Sequence, residues 1–342
     1  MTALQPITIV GGGLAGLSLG IALRRTGVPT HIVEAGHYPR HRVCGEFITG
    51  LDDATIDRLG VGAAFTGAGH HQSVTWFRNE KPVGRYTLPS PARALSRYTL
   101  DARLAGIFTA AGGRLSTNER FTSSINVPGW VQTNGRKRIG ASPWLGLKLH
   151  ARNLATTDHL EMHLGEEAYV GLSSVEDGWI NVCGLFRRRP GLRFEADDAL
   201  PACLRASGLH ALADRLAAAE IRPGSKSAVA GFAFDRCITA ADGVRLGDAC
   251  AMIPPFTGNG MAMAFTSAAI SLDPLVAWAR GDRAWDETVL AIREALDHEF
   301  KRRLTSAAWL HPFFLARAWQ YCLGTVARAG LLPLRAVYHL LH

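Results

Sequence analysis

A glycine-rich turn near the N-terminus constrains the fold of this chain more than any other feature. Gly11, Gly13 and Gly16 form a Gly-x-Gly-x-x-Gly motif. The apolar run Ile7 to Val10 precedes it, and Leu14 to Arg25, with apolar residues at helical spacing, follows it. The first glycine permits a tight turn, the second leaves room for a pyrophosphate, and the third lets helix and strand pack closely. The segment therefore predicts a strand, turn and helix that bind a dinucleotide at the helix N-terminus.

A second predicted strand, Thr30 to Glu34, ends in an acidic residue. Glu34 is placed to accept hydrogen bonds from the ribose hydroxyls of an adenosine. The strand–helix–strand order implies a parallel sheet with a right-handed crossover. This motif alone does not distinguish FAD from NAD.

Another candidate cofactor segment follows the predicted strand Val244 to Leu246. Gly247 and Asp248 come first, and a glycine-containing turn from Pro254 to Gly260 then opens an apolar helix. A carboxylate after a core strand can bind the ribityl hydroxyls of a flavin, and a helix N-terminus can face its pyrophosphate or pyrimidine edge. Taken alone, the segment could be a plain strand, turn and helix. Paired with the N-terminal motif, it narrows the nucleotide to FAD.

The rest of the chain predicts a second structural layer. Apolar and polar residues alternate between Leu145 and Phe186, as in a half-buried antiparallel sheet. We predict an α/β protein: a Rossmann-like FAD-binding domain of the glutathione reductase type, interleaved with an antiparallel-sheet substrate domain and followed by a helical C-terminus. The predicted bounds are 1–72, 92–140 and 236–282 for the FAD-binding domain, 73–91 and 141–235 for the substrate domain, and 283–342 for the C-terminal segment.

The amino-acid composition restricts the classes of binding partner that we expect. Thirty-seven Lys and Arg against twenty-nine Asp and Glu give a net charge of +8, which favours a phosphate-rich cofactor or an anionic lipid surface. The cations are dispersed and not interleaved with aromatics, so no nucleic-acid partner is expected. The six cysteines are far apart and no His or Cys pair has metal-ligand spacing, which predicts reduced thiols, no metal and a cytoplasmic protein. We expect no signal peptide and no membrane-spanning segment.

Four segments together resemble the FAD-dependent oxidoreductases of the p-hydroxybenzoate hydroxylase type, and most closely their geranylgeranyl reductase-like branch. The resemblance covers roughly the first 280 residues. It is carried by the Gly11 turn with Glu34, by Pro39 to Glu46 (PRHRVCGE), by Arg97 with Leu100 and Asp101 at a helix start, and by Gly247-Asp248 with Pro254 to Gly260.

The resemblance implies site residues. Arg97 would contact FAD, and Arg40 to Glu46 would run beside the flavin with Cys44 and Gly45 near its isoalloxazine ring; Arg42 could neutralise a phosphate. Cys44 is the candidate catalytic residue, either as a thiol of low pKa or as a small residue packed against the ring. The predicted cofactor contacts are Gly11, Gly13, Leu14, Ala15, Gly16, Glu34, Ala35, Arg42, Cys44, Gly45, Arg97, Gly247, Asp248, Pro255, Gly258, Asn259, Gly260 and Met261.

Two departures from the family bear on the reaction. Asn134-Gly135-Arg136-Lys137 stands where aromatic hydroxylases have an Asp-Gly element, which argues against direct reduction by NADPH in the hydroxylase manner. The Trp-x-Trp-x-Ile-Pro element of flavin-dependent halogenases is absent, which argues against halogenation. NADPH, NADH and a partner reductase are the candidate electron donors.

Three functions follow. The first is a reductase that transfers hydride from reduced flavin to a C=C bond of an apolar, isoprenoid-, polyketide- or lipid-like substrate. The second is a monooxygenase, either a hydroxylase or an epoxidase, on the same scaffold. The third is a non-catalytic flavin or lipid carrier.

Two other regions leave alternatives open. The segment Trp309 to Leu341 suits either peripheral contact with a membrane or a helix pair packed on the core. His70 and His71 are expected in a solvated loop. His150, beside Lys148, either lines the pocket or faces solvent, and is not included among the catalytic residues.

Overall fold

Two β-sheets form the framework of the protein. The computed structural model describes residues 3–121, 127–136, 139–195, 198–235, 237–238, 242–328 and 334–341. The strands are β1 (Ile7–Val10), β2 (Thr30–Val33), β3 (Phe47–Ile48), β4 (Gly69–Arg78), β5 (Lys81–Ala94), β6 (Arg114–Ser116), β7 (Trp130–Gln132), β8 (Trp144–Arg152), β9 (Leu160–Gly165), β10 (Ala168–Ser174), β11 (Ile180–Arg187), β12 (Glu220–Ile221), β13 (Ser227–Ala230) and β14 (Val244–Arg245). The helices are α1 (Leu14–Arg25), α2 (Asp53–Leu59), α3 (Arg97–Ala110), α4 (Ala199–Ala206), α5 (His210–Ala217), α6 (Gly260–Arg280), α7 (Trp285–Leu310), α8 (Arg317–Arg328) and α9 (Leu334–Leu341).

The first sheet is parallel and has the order β14-β7-β1-β2-β6. The predicted strand, glycine turn, helix and second strand are confirmed as β1, α1 and β2. Residues 14 to 23 of α1 are all buried, since this helix packs against β1, β2, α3 and α6. Its C-terminal turn carries Arg24 and Arg25, whose charges suit the negative end of the helix dipole.

The second sheet has the order β12-β8-β11-β10-β9-β4-β5-β3, and β13 also pairs with β8. All its pairings are antiparallel except β4 with β9. Strand residues alternate between two faces. Leu147 and Leu149 of β8 belong to a core that includes Leu204 of α4 and Leu212 of α5. The alternate residues of β8 therefore point to the opposite face.

Helix α6 is the central helix of the larger hydrophobic core. It packs against α1, α2 and α7. Among the described residues it is the one helix long and apolar enough to cross a membrane by length and composition, with a mean hydropathy of 1.3. However, 61% of that window is buried inside the protein, which is typical of a core helix.

The structure corrects one local expectation. His71 does not lie in a solvated loop, because β4 begins at Gly69 and includes both histidines. His71 is buried, with its Nε2 3.0 Å from the Ser173 hydroxyl, while His70 is exposed. All six cysteines are free thiols. The division into domains with the bounds given above stays a prediction, as does the cytoplasmic location.

Candidate cofactor site and active site

The glycine turn after β1 is shaped by the surrounding backbone. Gly11 has φ +109°, and a Cβ there would lie 2.4 Å from the carbonyl oxygen of Thr133. A Cβ at Gly16 would lie 2.1 Å from the carbonyl oxygen of Gly11. A Cβ at Gly13 would meet nothing within 4 Å. Gly11 and Gly16 are thus required by packing, whereas Gly13 leaves open space at the start of α1, where a pyrophosphate can approach.

Glu34 follows β2 as a fixed, charged acceptor. Its carboxylate accepts hydrogen bonds from the backbone N–H of Gly12 at 2.7 Å and of Gly36 at 2.8 Å. Burial alone would raise the pKa of Glu34, but the charges of Arg42 and Arg40 and these hydrogen bonds hold it below its usual value. The side chain is therefore anionic at neutral pH and suited to accepting ribose hydroxyls.

A buried charge cluster lies at the start of α3. Arg97 donates two hydrogen bonds to Asp101, at 2.7 and 2.8 Å, and Arg42 Nε lies 3.1 Å from the same carboxylate. Asp101 is fully buried. Among the described residues, the buried atoms Arg42 Nη2 and Arg40 Nε have no hydrogen-bond partner. Arg42 Nη2 also lies 3.6 Å from Glu34 Oε2, so Arg42 bridges the carboxylates of Glu34 and Asp101, and its guanidinium is the kind of group that binds phosphate oxygens.

The second cofactor segment packs on the first. Gly247 has φ +57°, and a Cβ there would lie 3.2 Å from Cβ of Ala15. The exposed carboxylate of Asp248 interacts electrostatically with Arg97, Arg136 and Arg42. The two predicted segments thus meet at one site, and the glycine cradle, Glu34, Arg42 and Asp248 fit FAD by shape, charge and donor set.

The remaining predicted contacts lie around the same elements. Gly258 has φ +66° and packs on Phe47. The side-chain amide of Asn259 donates to the carbonyl of Leu341 in α9, and its Oδ1 is buried without a partner among the described residues. The others are placed as follows: Leu14, Ala15 and Met261 buried, Gly45 and Gly260 partly exposed, and Ala35 and Pro255 exposed.

The Asn134-Gly135 turn directly follows β7. A Cβ at Gly11 would lie 2.6 Å from the backbone nitrogen of Asn134, so this turn packs on the dinucleotide loop. Arg136 stacks over the ring of Phe232, and Lys137 lies outside the described residues.

The segment that contains Cys44 and Gly45 is held by the second sheet. Asn181 of β11 is fully buried, and its side-chain amide donates to the carbonyls of Cys44 and Gly45, each at 2.9 Å. Burial raises the pKa of the Cys44 thiol, although the charge of Arg97 opposes the shift. The thiol is therefore protonated at neutral pH. This favours the packing interpretation of Cys44 over the low-pKa alternative, and its catalytic role stays a prediction.

Glu46 is the centre of a buried ionisable cluster at the interface of this segment with the sheet. Its Oε1 accepts hydrogen bonds from Lys148 Nζ at 3.0 Å and from the Arg97 backbone at 2.9 Å, and its Oε2 lies 2.6 Å from His150 Nε2. The side chains of Glu46, Lys148 and His150 are all 0% exposed. Burial alone would raise the pKa of Glu46, but the His150 hydrogen bond and the Lys148 charge lower it overall. We call Glu46, Lys148 and His150 the acid–base cluster.

His41 connects the acid–base cluster with the protein surface. Its Nδ1 lies 3.1 Å from Lys148 Nζ, and its ring stacks on Tyr98 with centroids 4.6 Å apart. Burial, reinforced by the positive charge of Lys148, lowers the pKa of His41 to about 4. The half-buried imidazole is thus neutral at pH 7 and can accept a hydrogen bond from the Lys148 ammonium.

Lys148, His150 and Asn181 were not among the predicted site residues. His41 and Glu46 lie in the segment Arg40 to Glu46 that was predicted to run beside the flavin, but neither was given a role of its own. One sequence signal could have identified two of them. Lys148 and His150 alternate with apolar leucines, so both side chains point to one face of β8, and a lysine on an otherwise apolar strand requires a partner. Of the two alternatives for His150, the solvent-facing one is wrong, because the side chain is 0% exposed, and a place in the pocket lining stays a prediction.

An aromatic cluster occupies the other end of the same sheet face, where Trp144 precedes Lys148 by four residues on β8. The ring of His311 lies 5.2 Å from that of Trp144 and 5.0 Å from that of Phe234, and it stacks on Phe256 at 6.1 Å. The Tyr169 hydroxyl lies 3.4 Å from His311 Nε2. Burial lowers the pKa of His311 to about 4, so this ring is neutral at pH 7.

Comparisons with known proteins test the cofactor and the fold. A family described as FAD binding domain matches residues 5–124. No curated protein sequence matches the chain. Three similar solved structures are the flavin-dependent brominase Bmp2 (17% identity, 99% of this chain and 93% of that chain, TM-score 0.75), p-nitrophenol 4-monooxygenase PnpA from Pseudomonas putida DLL-E4 (14%, 100% and 97%, 0.74), and HpxO from Klebsiella pneumoniae complexed with FAD and uric acid (15%, 98% and 96%, 0.76).

At these identities the likeness to solved structures shows a shared fold, and it extends beyond the FAD-binding segment to both sheets and the C-terminal helices. The predicted fold and the FAD cofactor are confirmed. Nothing in the comparisons supports the geranylgeranyl reductase-like branch. Residues 5–124 therefore form an FAD-binding domain, and the whole chain shares its fold with flavin-dependent enzymes of known structure.

Proposed function

We propose that the protein is an FAD-dependent monooxygenase that inserts one oxygen atom into an apolar, ring-bearing substrate. The observation that carries this proposal is the acid–base cluster, which lies against the Cys44–Gly45 segment that the family resemblance puts beside the flavin. Bound FAD supplies the electrons that activate dioxygen. The protein supplies binding, orientation, exclusion of water and protons.

Proton supply is the main demand that this reaction makes on the protein. Insertion of one oxygen atom from dioxygen, with two electrons and two protons, releases the second oxygen atom as water. The Lys148 Nζ lies in a place closed to solvent, 3.0 Å from the Glu46 carboxylate with which it forms an ion pair. The neutral Nδ1 of His41, 3.1 Å away, connects this nitrogen to the half-exposed edge of the site. The acid–base cluster can therefore deliver protons without admitting bulk water.

Substrate recognition is assigned to the aromatic cluster. It lies on the same sheet face as Lys148, and the Tyr169 hydroxyl and the neutral imidazole of His311 are polar groups within it. Aromatic side chains favour stacked or edge-to-face partners. A flat apolar ring with one polar substituent is the chemistry that these groups would recognise.

The reductase alternative has less support. Of the similar structures described above, one is named a monooxygenase. Another is named a brominase, but the tryptophan element of flavin-dependent halogenases is absent from this sequence. The electron donor is proposed to be NADPH, NADH or a partner reductase.

The experiment follows the reduced holoenzyme. FAD-loaded protein is reduced anaerobically with dithionite and mixed with ¹⁸O₂ in the presence of a panel of phenols and naphthols, or kept anaerobic with activated alkenes. We expect one ¹⁸O atom per product molecule. Anaerobic flavin oxidation by an alkene, with two hydrogens gained by the product, would instead establish the reductase.

A variant pair tests the role of the acid–base cluster in the same assay. Lys148→Met should retain FAD but release more hydrogen peroxide per electron pair, because protons no longer reach the site in step with oxygen transfer. Lys81→Met, at an exposed position in β5, is the matched control and should behave as the wild type.

A further inference from the structure

We propose that the junction of α7 and α8 is a docking surface for an anionic lipid bilayer. Its apolar part, the aromatic patch, consists of Trp309, Phe313, Trp319, Tyr321 and Val326. Trp309 is 68% exposed, Tyr321 59%, Trp319 49% and Val326 39%. The rings of Trp309, Phe313 and Trp319 are contiguous, since the centroids of Trp309 and Phe313 lie 5.3 Å apart and those of Phe313 and Trp319 4.7 Å apart. Contiguous exposed apolar surface of this kind marks an interaction site.

The aromatic patch is presented by a fixed framework. Gln320 of α8 is 2% exposed, and its amide donates to the carbonyls of Gly165 and Phe314 at 2.8 Å each. Phe314 stacks on Phe256 with centroids 4.2 Å apart. One side of this region is therefore anchored on the core, as the helix-packing alternative predicts, and the other side turns Trp319 outward.

Most of the charged side chains around the aromatic patch are positive. Residues 300 to 342 contain six Lys and Arg and no Asp or Glu. Lys301 and Arg302 are exposed on α7, and Arg302 lies two turns before Trp309, on the same side of the helix. The Arg317 side chain is 72% exposed, and the Arg78 guanidinium lies 5.2 Å from the Tyr321 ring centroid.

Acidic residues lie near this surface in two places. Glu166 and Glu167 are at the β9–β10 turn, and Glu294 and Asp297 of α7 line one surface pocket with Lys301. Arg317 is 3.9 Å from Glu166, and Arg187 is 2.9 Å from Glu167. Glu166 and Glu167 are thus each offset by an arginine, and Lys301 lies beside Glu294 and Asp297. Arg302 and Arg78 remain as excess positive charge.

Exposed aromatic rings together with excess positive charge favour an anionic bilayer over a second copy of the chain as the partner of this surface. In a symmetric dimer the same patch would face itself, so the excess cations of one copy would oppose those of the other. An anionic bilayer neutralises them, with about 1 kcal/mol of attraction per Lys or Arg near the surface. Trp and Tyr side chains are enriched at the headgroup level of lipid bilayers. The aliphatic part of an arginine side chain can cover apolar surface while its guanidinium stays hydrated. The inference is independent of the reaction that the flavin site performs.

Vesicle co-sedimentation of the full-length holoprotein tests it. The vesicles are pure phosphatidylcholine, or phosphatidylcholine with about 30 mol% phosphatidylglycerol, in about 0.1 M and about 0.5 M NaCl. We expect binding to the anionic vesicles that weakens at high salt. Lys301→Gln/Arg302→Gln/Arg317→Gln should lower the partition coefficient by about two orders of magnitude. Trp309→Ser/Trp319→Ser should lower it by about tenfold.

The matched control is Leu290→Ser, which changes a residue of α7 that is 44% exposed outside the aromatic patch and should bind like the wild type. Retained flavin absorbance shows that each variant is folded. Absence of binding to anionic vesicles at low salt would overturn the proposal. So would a concentration-dependent dimer, seen by light scattering, that the Trp309→Ser/Trp319→Ser variant disperses while vesicle binding is unchanged.

Discussion

The ion pair between Glu46 and Lys148 should be the most strongly coupled pair of side chains near the candidate active site. Both side chains are 0% exposed, and the charged atoms lie 3.0 Å apart. Breaking a buried pair by removing one partner costs about 3–5 kcal/mol, because the remaining charge has no counter-ion and no water. Glu46→Gln keeps the shape and an acceptor for the Arg97 N–H but removes the charge. We expect it, and Lys148→Met, each to lower the free energy of unfolding by about 3 kcal/mol or more.

The double variant distinguishes coupling from packing. Glu46→Gln/Lys148→Met removes both charges, so its cost should fall short of the sum of the single costs by about 2–3 kcal/mol. Urea unfolding, followed by tryptophan fluorescence at a fixed concentration of FAD, measures all four proteins. Glu167→Gln is the matched control, because its pair with Arg187 spans 2.9 Å but is 41% and 55% exposed, and it should cost under about 1 kcal/mol. Additivity within about 0.5 kcal/mol would refute the argument.

The pH dependence provides a second check on the same pair. Because the pKa of Glu46 is lowered in the folded protein, its stabilisation is fully present above its unfolded pKa of about 4.3 and is lost as pH falls through the folded value. The stability difference between wild type and Glu46→Gln should therefore be constant from neutral pH to about 5 and shrink below about 4.

Three further changes have defined outcomes. Gly13→Val should yield a folded but colourless protein, because the new side chain enters the open space for the pyrophosphate, whereas Gly106→Ala, also facing open space, should stay yellow; a yellow Gly13→Val protein would contradict the placement of FAD. His311→Phe should be more resistant to acid unfolding than the wild type. Because the pKa of His311 is lowered to about 4, the wild type loses roughly 2–3 kcal/mol of unfolding free energy from this group as pH falls from 6.5 to 4, and the variant does not. The same difference in unfolding free energy between the two proteins at both pH values, measured with urea, would refute this. Cys44→Ser should leave flavin content and turnover nearly unchanged, because burial keeps the thiol protonated, and a loss of turnover with FAD retained would restore the catalytic assignment.

The sequence predicted those parts of the fold that depend on interactions between residues close together in the chain. The bounds of β1 and α1 match the predicted runs, because apolar periodicity and glycine placement act within one turn of the chain. The proximity of Gly247 to the N-terminal glycine turn could also be predicted, because both segments carry residue types suited to binding one FAD molecule.

The acid–base cluster could not be derived in the same way. Glu46 is separated from Lys148 by 102 positions and from His150 by 104. Their contact depends on how β8 lies against the Cys44–Gly45 segment, which no local period encodes. His71 was misplaced for a related reason: its burial depends on Ser173 of a distant strand and not on its own glycine-rich neighbourhood.

A crystal structure of the FAD complex would locate the isoalloxazine ring relative to the acid–base cluster. We predict the adenosine ribose at Glu34, the pyrophosphate at Gly13 and Arg42, and the isoalloxazine ring beside the Cys44–Gly45 segment, on the side where Lys148 and His150 meet Glu46. An isoalloxazine ring bound away from the acid–base cluster, or a ribose that does not contact Glu34, would contradict it.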